Sequence, residues 1–189
     1  MKYIFESETK PTWLPGEGIP SLLDKNAELK GIEIGVDHGV TTEYLLKSLP
    51  KLTLIGVDPY TMYDDWTGPT VPADDRENAL TIMKNRTSPY SDRFTHVRKT
   101  SDDALSMFED DSFDFIFIDG LHTYKQVLLD CRNYWPKLKK GGLFCGHDFR
   151  GIPDVNNAVV EFANDLKAMI GTTNQDVWFW YKQRELTLS

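Results

Sequence analysis

Residues 31–46 read GIEIGVDHGVTTEYLL. An apolar run carries one acid, Glu33, and passes into a turn with Gly35 and Gly39. Helical spacing follows, with Thr42–Ser48 as an amphipathic segment. A buried-looking strand that holds a carboxylate beside a glycine turn has a ready explanation: the turn holds a cofactor.

Working outward, strand and helix patterns alternate. Leu52–Val57 (LTLIGV) reads as a strand. Asp74–Asn85 reads as a helix with Ala79, Leu80 and Met83 on one face. Phe94–Arg98 is a short strand and Asp102–Phe108 a short helix. Phe113–Ile118 (FDFIFI) is a strand that is apolar on both faces. Tyr124–Leu138 is a helix, Gly142–Cys145 a strand, Val155–Met169 a long helix and Val177–Lys182 a last strand. Before the opening unit, residues 1–18 look irregular, and Ile19–Leu29 reads as a short helix that starts at Pro20 and Ser21. The expected division is an extension over 1–30 and one domain over 31–189.

This alternation implies an α/β fold: a mostly parallel sheet with helices on both faces, and Val177–Lys182 as an antiparallel strand near one edge. In such sheets a ligand sits outside the carboxyl ends of the strands, where strand order reverses. The segments to inspect are therefore 35–41, 58–60, 100–102, 119–124 and 146–150. One stretch breaks the rhythm. TMYDDWTGPTVPADD (61–75) is long and acidic, with Tyr63, Asp64, Asp65 and Trp66, and reads either as a lid or as a surface excursion.

The bulk composition narrows the function. Of 189 residues, 40% are hydrophobic, enough for a core and against disorder. A net charge of -8 argues against a nucleic-acid or anionic-membrane surface, because both need clustered positive charge. The basic run Lys137-Leu138-Lys139-Lys140 is short and reads as a solvated helix end. Cys145 falls in an apolar run and Cys131 in an expected helix, and both read as buried thiols rather than a disulfide. The first 18 residues lack the apolar core of a signal peptide, and no apolar stretch approaches ~20 residues. The expectation is a soluble, cytoplasmic protein with a small-molecule partner, no nucleic acid and no membrane; a homo-oligomer stays open.

The glycine turn discriminates between cofactors. A dinucleotide site wants G-x-G-x-x-G, with the pyrophosphate against the turn. Here Asp37 stands between Gly35 and Gly39, and a carboxylate repels a pyrophosphate. A cationic ligand suits the turn better. S-adenosylmethionine carries a sulfonium and an α-amino group.

Further motifs carry a resemblance. Glu33-x-Gly35-x-x-x-Gly39, a strand ending in Asp58 and a fourth strand ending in Asp119 resemble a class I S-adenosylmethionine-dependent methyltransferase. Phe117-Ile118-Asp119-Gly120-Leu121-His122-Thr123-Tyr124, Trp135-Pro136-Lys137-Leu138-Lys139-Lys140-Gly141-Gly142 and Gly146-His147-Asp148-Phe149 resemble, in order, a branch that methylates sugars and natural products. Many members of that branch have an acid where Leu121 stands. The resemblance implies a Rossmann-like fold, S-adenosylmethionine as cofactor and a set of roles. Gly35 lets the backbone approach the methionine part. Glu33 or Asp37 neutralises the positive end, within the turn closed by Gly39. Asp58 accepts from the ribose hydroxyls, and Ser101 and Asp102 border the adenine. Plainer readings stand beside these. Gly35 and Gly39 can be ordinary turn residues, Asp58 before Pro59 a turn former, Asp102 a helix cap and Tyr60 a packing residue.

The reacting end reads from the later motifs. A methyltransferase must align its acceptor and, for a hydroxyl, remove a proton. His122 and His147 fall just past strand ends, with Asp119 and Asp148 beside them in sequence. His122 is the favoured base, with Asp119, His147 and Asp148 as orienting groups. Alternatively Asp119, Asp148 and His147 hold a divalent cation such as magnesium. His122 can also be a helix cap, and His147-Asp148 a polar turn. His38, His96 and the aromatic VWFWYK strand read as structural. Two rival functions remain: an NAD-dependent oxidoreductase on a similar sheet, and a non-catalytic binding protein on a methyltransferase fold.

Overall fold

A computed structural model describes residues 15–61 and 72–183. The stretch with Tyr63, Asp64, Asp65 and Trp66, read above as a lid or an excursion, lies outside the described residues, as do residues 1–14.

Five strands run parallel: β1 (Leu29–Ile34), β2 (Leu52–Val57), β3 (Phe94–Val97), β4 (Phe113–Ile118) and β5 (Leu138–Gly146). Two more, β6 (Gly171–Thr172) and β7 (Trp178–Tyr181), close the seven-stranded sheet in the order β3-β2-β1-β4-β5-β7-β6. β7 is antiparallel to β5 and to β6, which makes it the antiparallel strand expected near one edge. The edge itself is β6, whose two residues are too few for a sequence period to reveal. The order reverses between β1 and β4. The loops leaving those two strands diverge to either side, and a crevice opens where they part.

The helices are α1 (Val40–Ser48), α2 (Ala73–Thr87), α3 (Ser101–Ala104), α4 (Tyr124–Tyr134) and α5 (Pro153–Leu166). They bury both faces of the sheet, which is why the central strands are apolar at successive positions. On one face Ile32, Ile116, Ile118 and Phe144 pack with Val127 and Cys131 of α4 and Val159 and Phe162 of α5. On the other face Leu54, Phe115, Phe117 and Cys145 pack with Leu45 and Leu46 of α1 and with Ile19. Both cysteines are buried and unpaired, as expected. Among the described residues no helix is long and apolar enough to cross a membrane.

Several boundaries differ from the sequence reading, each for a local reason. The short N-terminal helix is a 3₁₀ segment, Pro15–Leu22, rather than Ile19–Leu29. The helix read as Tyr124–Leu138 stops at Tyr134, because Pro136 cannot donate the next helical hydrogen bond; Trp135–Lys137 forms a 3₁₀ turn instead. β5 accordingly starts at Leu138, not Gly142. Its register against β4 shifts between Phe113 and Phe115, and Gly141 supplies a φ of 86° beside that irregularity. The helix read as Asp102–Phe108 is four residues of α followed by a 3₁₀ turn at Leu105–Met107. α5 starts at Pro153, which needs no N–H in the first turn, and ends at Leu166. Lys167 follows in a left-handed conformation.

In the VWFWYK segment Val177, Trp178 and Trp180 are core, while Tyr181 is exposed. Trp178 and Trp180 stack at 5.3 Å and both meet Phe144, at 5.7 and 5.4 Å; Trp135 and Phe162 complete the cluster. Phe144 lies at its centre and is fully buried. Truncation there removes edge and face contacts to four rings at once. Phe144→Ala is expected to cost about 3–5 kcal/mol of stability, measured by urea denaturation with tryptophan fluorescence.

Candidate active site

The carboxyl ends of β1–β4 open onto a cleft of about 620 Å³. Glu33, Gly35, Asp37, Asp58, Ser101, Asp102, Asp119 and His122 all line it. Gly39, His147 and Asp148 do not belong to that lining.

Gly35 sits at φ 86°, and a Cβ placed on it would lie 2.0 Å from the carbonyl oxygen of Asp119. Two backbones therefore touch at the strand switch, and only glycine permits it. Gly39 is also left-handed at φ 71°, but its missing side chain makes room for Met83 of α2, at 3.0 Å from the Cβ position. Its part is helix packing rather than cofactor approach.

The turn is stitched by Asp58. One carboxylate oxygen accepts from the N–H groups of Val36 and Asp37, each at 3.0 Å. The other accepts from the Tyr60 N–H at 2.9 Å. Asp58 thus faces the crevice and also holds the bend, which is more than a simple turn former does. Tyr60 is buried at φ 49° and donates its hydroxyl to the Asp37 carbonyl. It stacks edge-on with His96, whose Nε2 meets the Asp58 carbonyl at 3.1 Å. Both are structural, as read.

The two acids of the turn differ. Asp37 pairs with Arg76 Nη1 at 2.8 Å and with the His38 ring. Burial pushes its carboxyl up, but the hydrogen bonds from His38 and Arg76 outweigh this and hold it below the usual carboxylate range. Its charge is already matched. Glu33 is 1% exposed and takes one hydrogen bond from the Thr42 hydroxyl at 2.6 Å. Burial pushes it up to about 8, helped by the negative charges of Asp119 and Asp58 and opposed by the Thr42 hydroxyl. Glu33 is the acid that lacks a cation.

At the other end of the cleft, His122 Nε2 stands 3.1 Å from Asp148 Oδ2 and 3.7 Å from Asp119 Oδ1. His147 stands off the cleft lining: its Nε2 meets the Gln175 carbonyl at 2.9 Å, and its Nδ1 lies 3.1 Å from Asp148 Oδ1 and 3.9 Å from Asp119 Oδ1. Burial lowers the His147 pKa, yet its bond to Asp148 and the charges of Asp119 and Asp148 raise it overall. Asp148, at φ 58°, is held well below the usual carboxylate range by both imidazoles in spite of its burial. Asp119, His122 and Asp148 present ligand atoms that all lie within 4.8 Å of one another. The geometry thus exchanges His147 for His122 in the cluster proposed to hold a metal. Two carboxylates and an imidazole form a donor set that suits manganese or zinc better than magnesium. The caps fall on neighbours of the residues considered for that part: Thr100, not Asp102, accepts from Asp103 N, and Thr123, not His122, accepts from Gln126 N.

A family model described as a methyltransferase domain matches residues 32–149, more than half of the chain. The chain belongs to the class I S-adenosylmethionine-dependent methyltransferases.

An uncharacterized mimivirus protein, R132 of Acanthamoeba polyphaga mimivirus, is 27% identical over 161 residues, covering 80% of this chain and 66% of its own length. An uncharacterized Sinorhizobium fredii protein, y4gI, is 40% identical over 57 residues, 30% of this chain and 6% of its own length. The chain thus spans under two thirds of each of these relatives. Among solved structures, the O-methyltransferase NovP superposes with a TM-score of 0.63 at 18% identity, covering 90% of this chain and 77% of its own. A Corynebacterium glutamicum protein gives 0.64 at 17% identity, covering 95% and 85%. At these identities the likeness is one of fold.

Three helix residues of the methyltransferase cleft escaped the reading by strand ends: Arg76, Gln126 and Asp130. Arg76, Gln126 and Asp130 come from helices, and α4 has one telling signal, a carboxylate on its buried face.

The contact at Gly35 yields a test. Gly35→Ala forces a side chain against a backbone carbonyl at positive φ. Stability is expected to fall by at least about 2 kcal/mol, read as a lowered Tm, with S-adenosylhomocysteine binding lost in calorimetry.

Proposed function

We propose that this methyltransferase domain transfers a methyl group from S-adenosylmethionine to a hydroxyl of a small polar acceptor, a sugar or a natural-product scaffold. The observation that carries the reading is His122, on the lining of the cleft and backed at 3.1 Å by Asp148. The cofactor supplies a methyl made electrophilic by its sulfonium. His122 takes the acceptor's proton as the acceptor oxygen bonds to the methyl carbon; the carbon–sulfur bond breaks and its electron pair stays on sulfur. Asp148 stabilises the resulting imidazolium, and His147 keeps Asp148 ionised. The structural likeness to the O-methyltransferase NovP supports oxygen as the acceptor atom. The family assignment favours the methyl donor over NAD.

The cluster of Asp119, His122 and Asp148 supports a second reading of the same groups. Together they would hold a divalent cation, which would lower the acceptor's pKa. His122 cannot be ligand and free base at once. His122→Ala is expected to reduce S-adenosylhomocysteine production, assayed over a panel of sugars and phenols, by about 10²–10⁴-fold while cofactor binding is retained. Turnover that survives a chelator in the parent protein supports the base; turnover lost to the chelator and restored by manganese transfers His122 to the metal. Unchanged turnover in the variant removes both roles.

Glu33 is proposed to face the cofactor's ammonium. A cation there favours the ionised carboxylate, whereas the free protein carries a proton on Glu33 up to about pH 8. Binding therefore releases that proton. Affinity for S-adenosylhomocysteine is expected to rise between pH 6 and 8, by up to about tenfold per unit, and to level above that. Glu33→Gln should flatten this slope in calorimetric titrations; a slope that persists in the variant would assign the proton elsewhere.

A further inference from the structure

Asp176 lies outside the residues that the family model matches and off the cleft lining, in the turn between β6 and β7. Its carboxylate nevertheless closes on the loop that carries Asp148. Oδ1 accepts from the Arg150 backbone N–H at 2.9 Å and from Arg150 Nε at 3.0 Å. Oδ2 accepts from the Gly151 N–H at 3.0 Å. Arg150 Nη2 goes on to donate to the Thr173 carbonyl at 2.8 Å, in the same β6–β7 turn. That turn is itself closed: the Thr173 N–H donates to the Val177 carbonyl at 2.9 Å, with Asp176 at φ 61°.

His147, Asp148 and Phe149 span the gap between the end of β5 and the amides that Asp176 holds. Both neighbours of Asp148 are fixed. The His147 N–H donates to the Ile118 carbonyl at 3.1 Å, and the His147 carbonyl accepts from Trp178 Nε1 at 3.1 Å. The Gln175 carbonyl can only accept, so His147 Nε2 donates to it at 2.9 Å. On the other side the Phe149 carbonyl accepts from Asn156 Nδ2 at 3.0 Å. Asp148 is suspended between these anchors at φ 58°, a conformation that residues other than glycine rarely adopt. Such a residue stays there only while its surroundings hold it. Relaxation of φ would swing the Cα–Cβ bond and carry the carboxylate away from His122 Nε2, which stands 3.1 Å from Asp148 Oδ2.

The same molecule holds a parallel. Asp58 accepts from two successive amides of the loop after β1, and Asp176 accepts from two successive amides of the loop after β5. The pair of Asp176 with the exposed Arg150 would by itself be a surface ion pair of little worth. What the carboxylate adds is its hold on the backbone.

We propose that Asp176 is a positioning residue for methyl transfer: it keeps the β5 loop in the backbone conformation that aims Asp148 at His122. It acts only through Asp148, and the proposal rests on the reading in which Asp148 backs His122.

Two variants test this. Asp176→Gly removes the carboxylate and suits the left-handed backbone, so the Tm is expected to change little. Asp176→Asn keeps the shape, but its amide nitrogen opposes one of the donors that the carboxylate now accepts from. The chain has four histidines, so NMR of isotope-labelled histidine follows each ring without any need for an acceptor. In both variants the His122 and His147 ring signals should move while those of His38 and His96 stay in place. Over the panel of sugars and phenols, Asp176→Gly should lower kcat by about 10–100-fold and leave the KM for S-adenosylmethionine unchanged. In a His122→Ala background the same substitution should cost less than about twofold, because the group it positions is gone. His122 signals that stay in place in both variants overturn the proposal. So does an undiminished kcat in Asp176→Gly, or a loss as large in the His122→Ala background as in the parent. Failure of both variants to fold makes Asp176 a structural residue and overturns it too. Unchanged turnover in His122→Ala alone instead refutes the reading beneath it.

Discussion

The structure turns on a contact between two backbones. β1 leaves the sheet at Gly35 so close to the carbonyl of Asp119 that no side chain fits between them. Neighbouring parallel strands here lead into loops that part to opposite sides, and the space between those loops is the cleft. Asp58 then locks the β1 loop by accepting from two of its amides. The cleft is thus a consequence of strand order, held in shape by one glycine and one carboxylate.

Charge in and beside the cleft is arranged unevenly, and the unevenness is informative. Asp37 is matched by Arg76 and His38, Asp148 by two imidazoles, and Asp58 by three backbone amides. Glu33 and Asp130 are buried with only neutral donors, and burial pushes them up to about 8 and about 6. A buried acid without a cation is costly unless it serves a ligand or aims another group. Both of these acids line the cleft.

How much of this could be read beforehand depends on how local the signal is. The strand–turn–helix unit at 31–46 is legible because period and turn chemistry are properties of adjacent residues. Asp58, Asp119 and His122 are legible because a parallel sheet gathers its strand ends in one place. Gln126, Asp130 and Arg76 are not, because helix faces are aimed by packing against the sheet. The preference for His122 over His147 as the base was read from the sequence, but its physical ground was not. Both follow strand ends beside an aspartate, and only the loop carrying Gln175 shows that one imidazole is already taken.

The sequence by itself determined the class of sheet, the position of the glycine turn and the preference for a cationic over a pyrophosphate-bearing cofactor, since all three follow from local period, local geometry and the sign of local charge. Only the tertiary structure decided which acids are compensated, which histidine faces the cleft and which helix residues complete it. Those depend on distances between residues far apart in the chain, and such distances exist only once both faces of the sheet are packed.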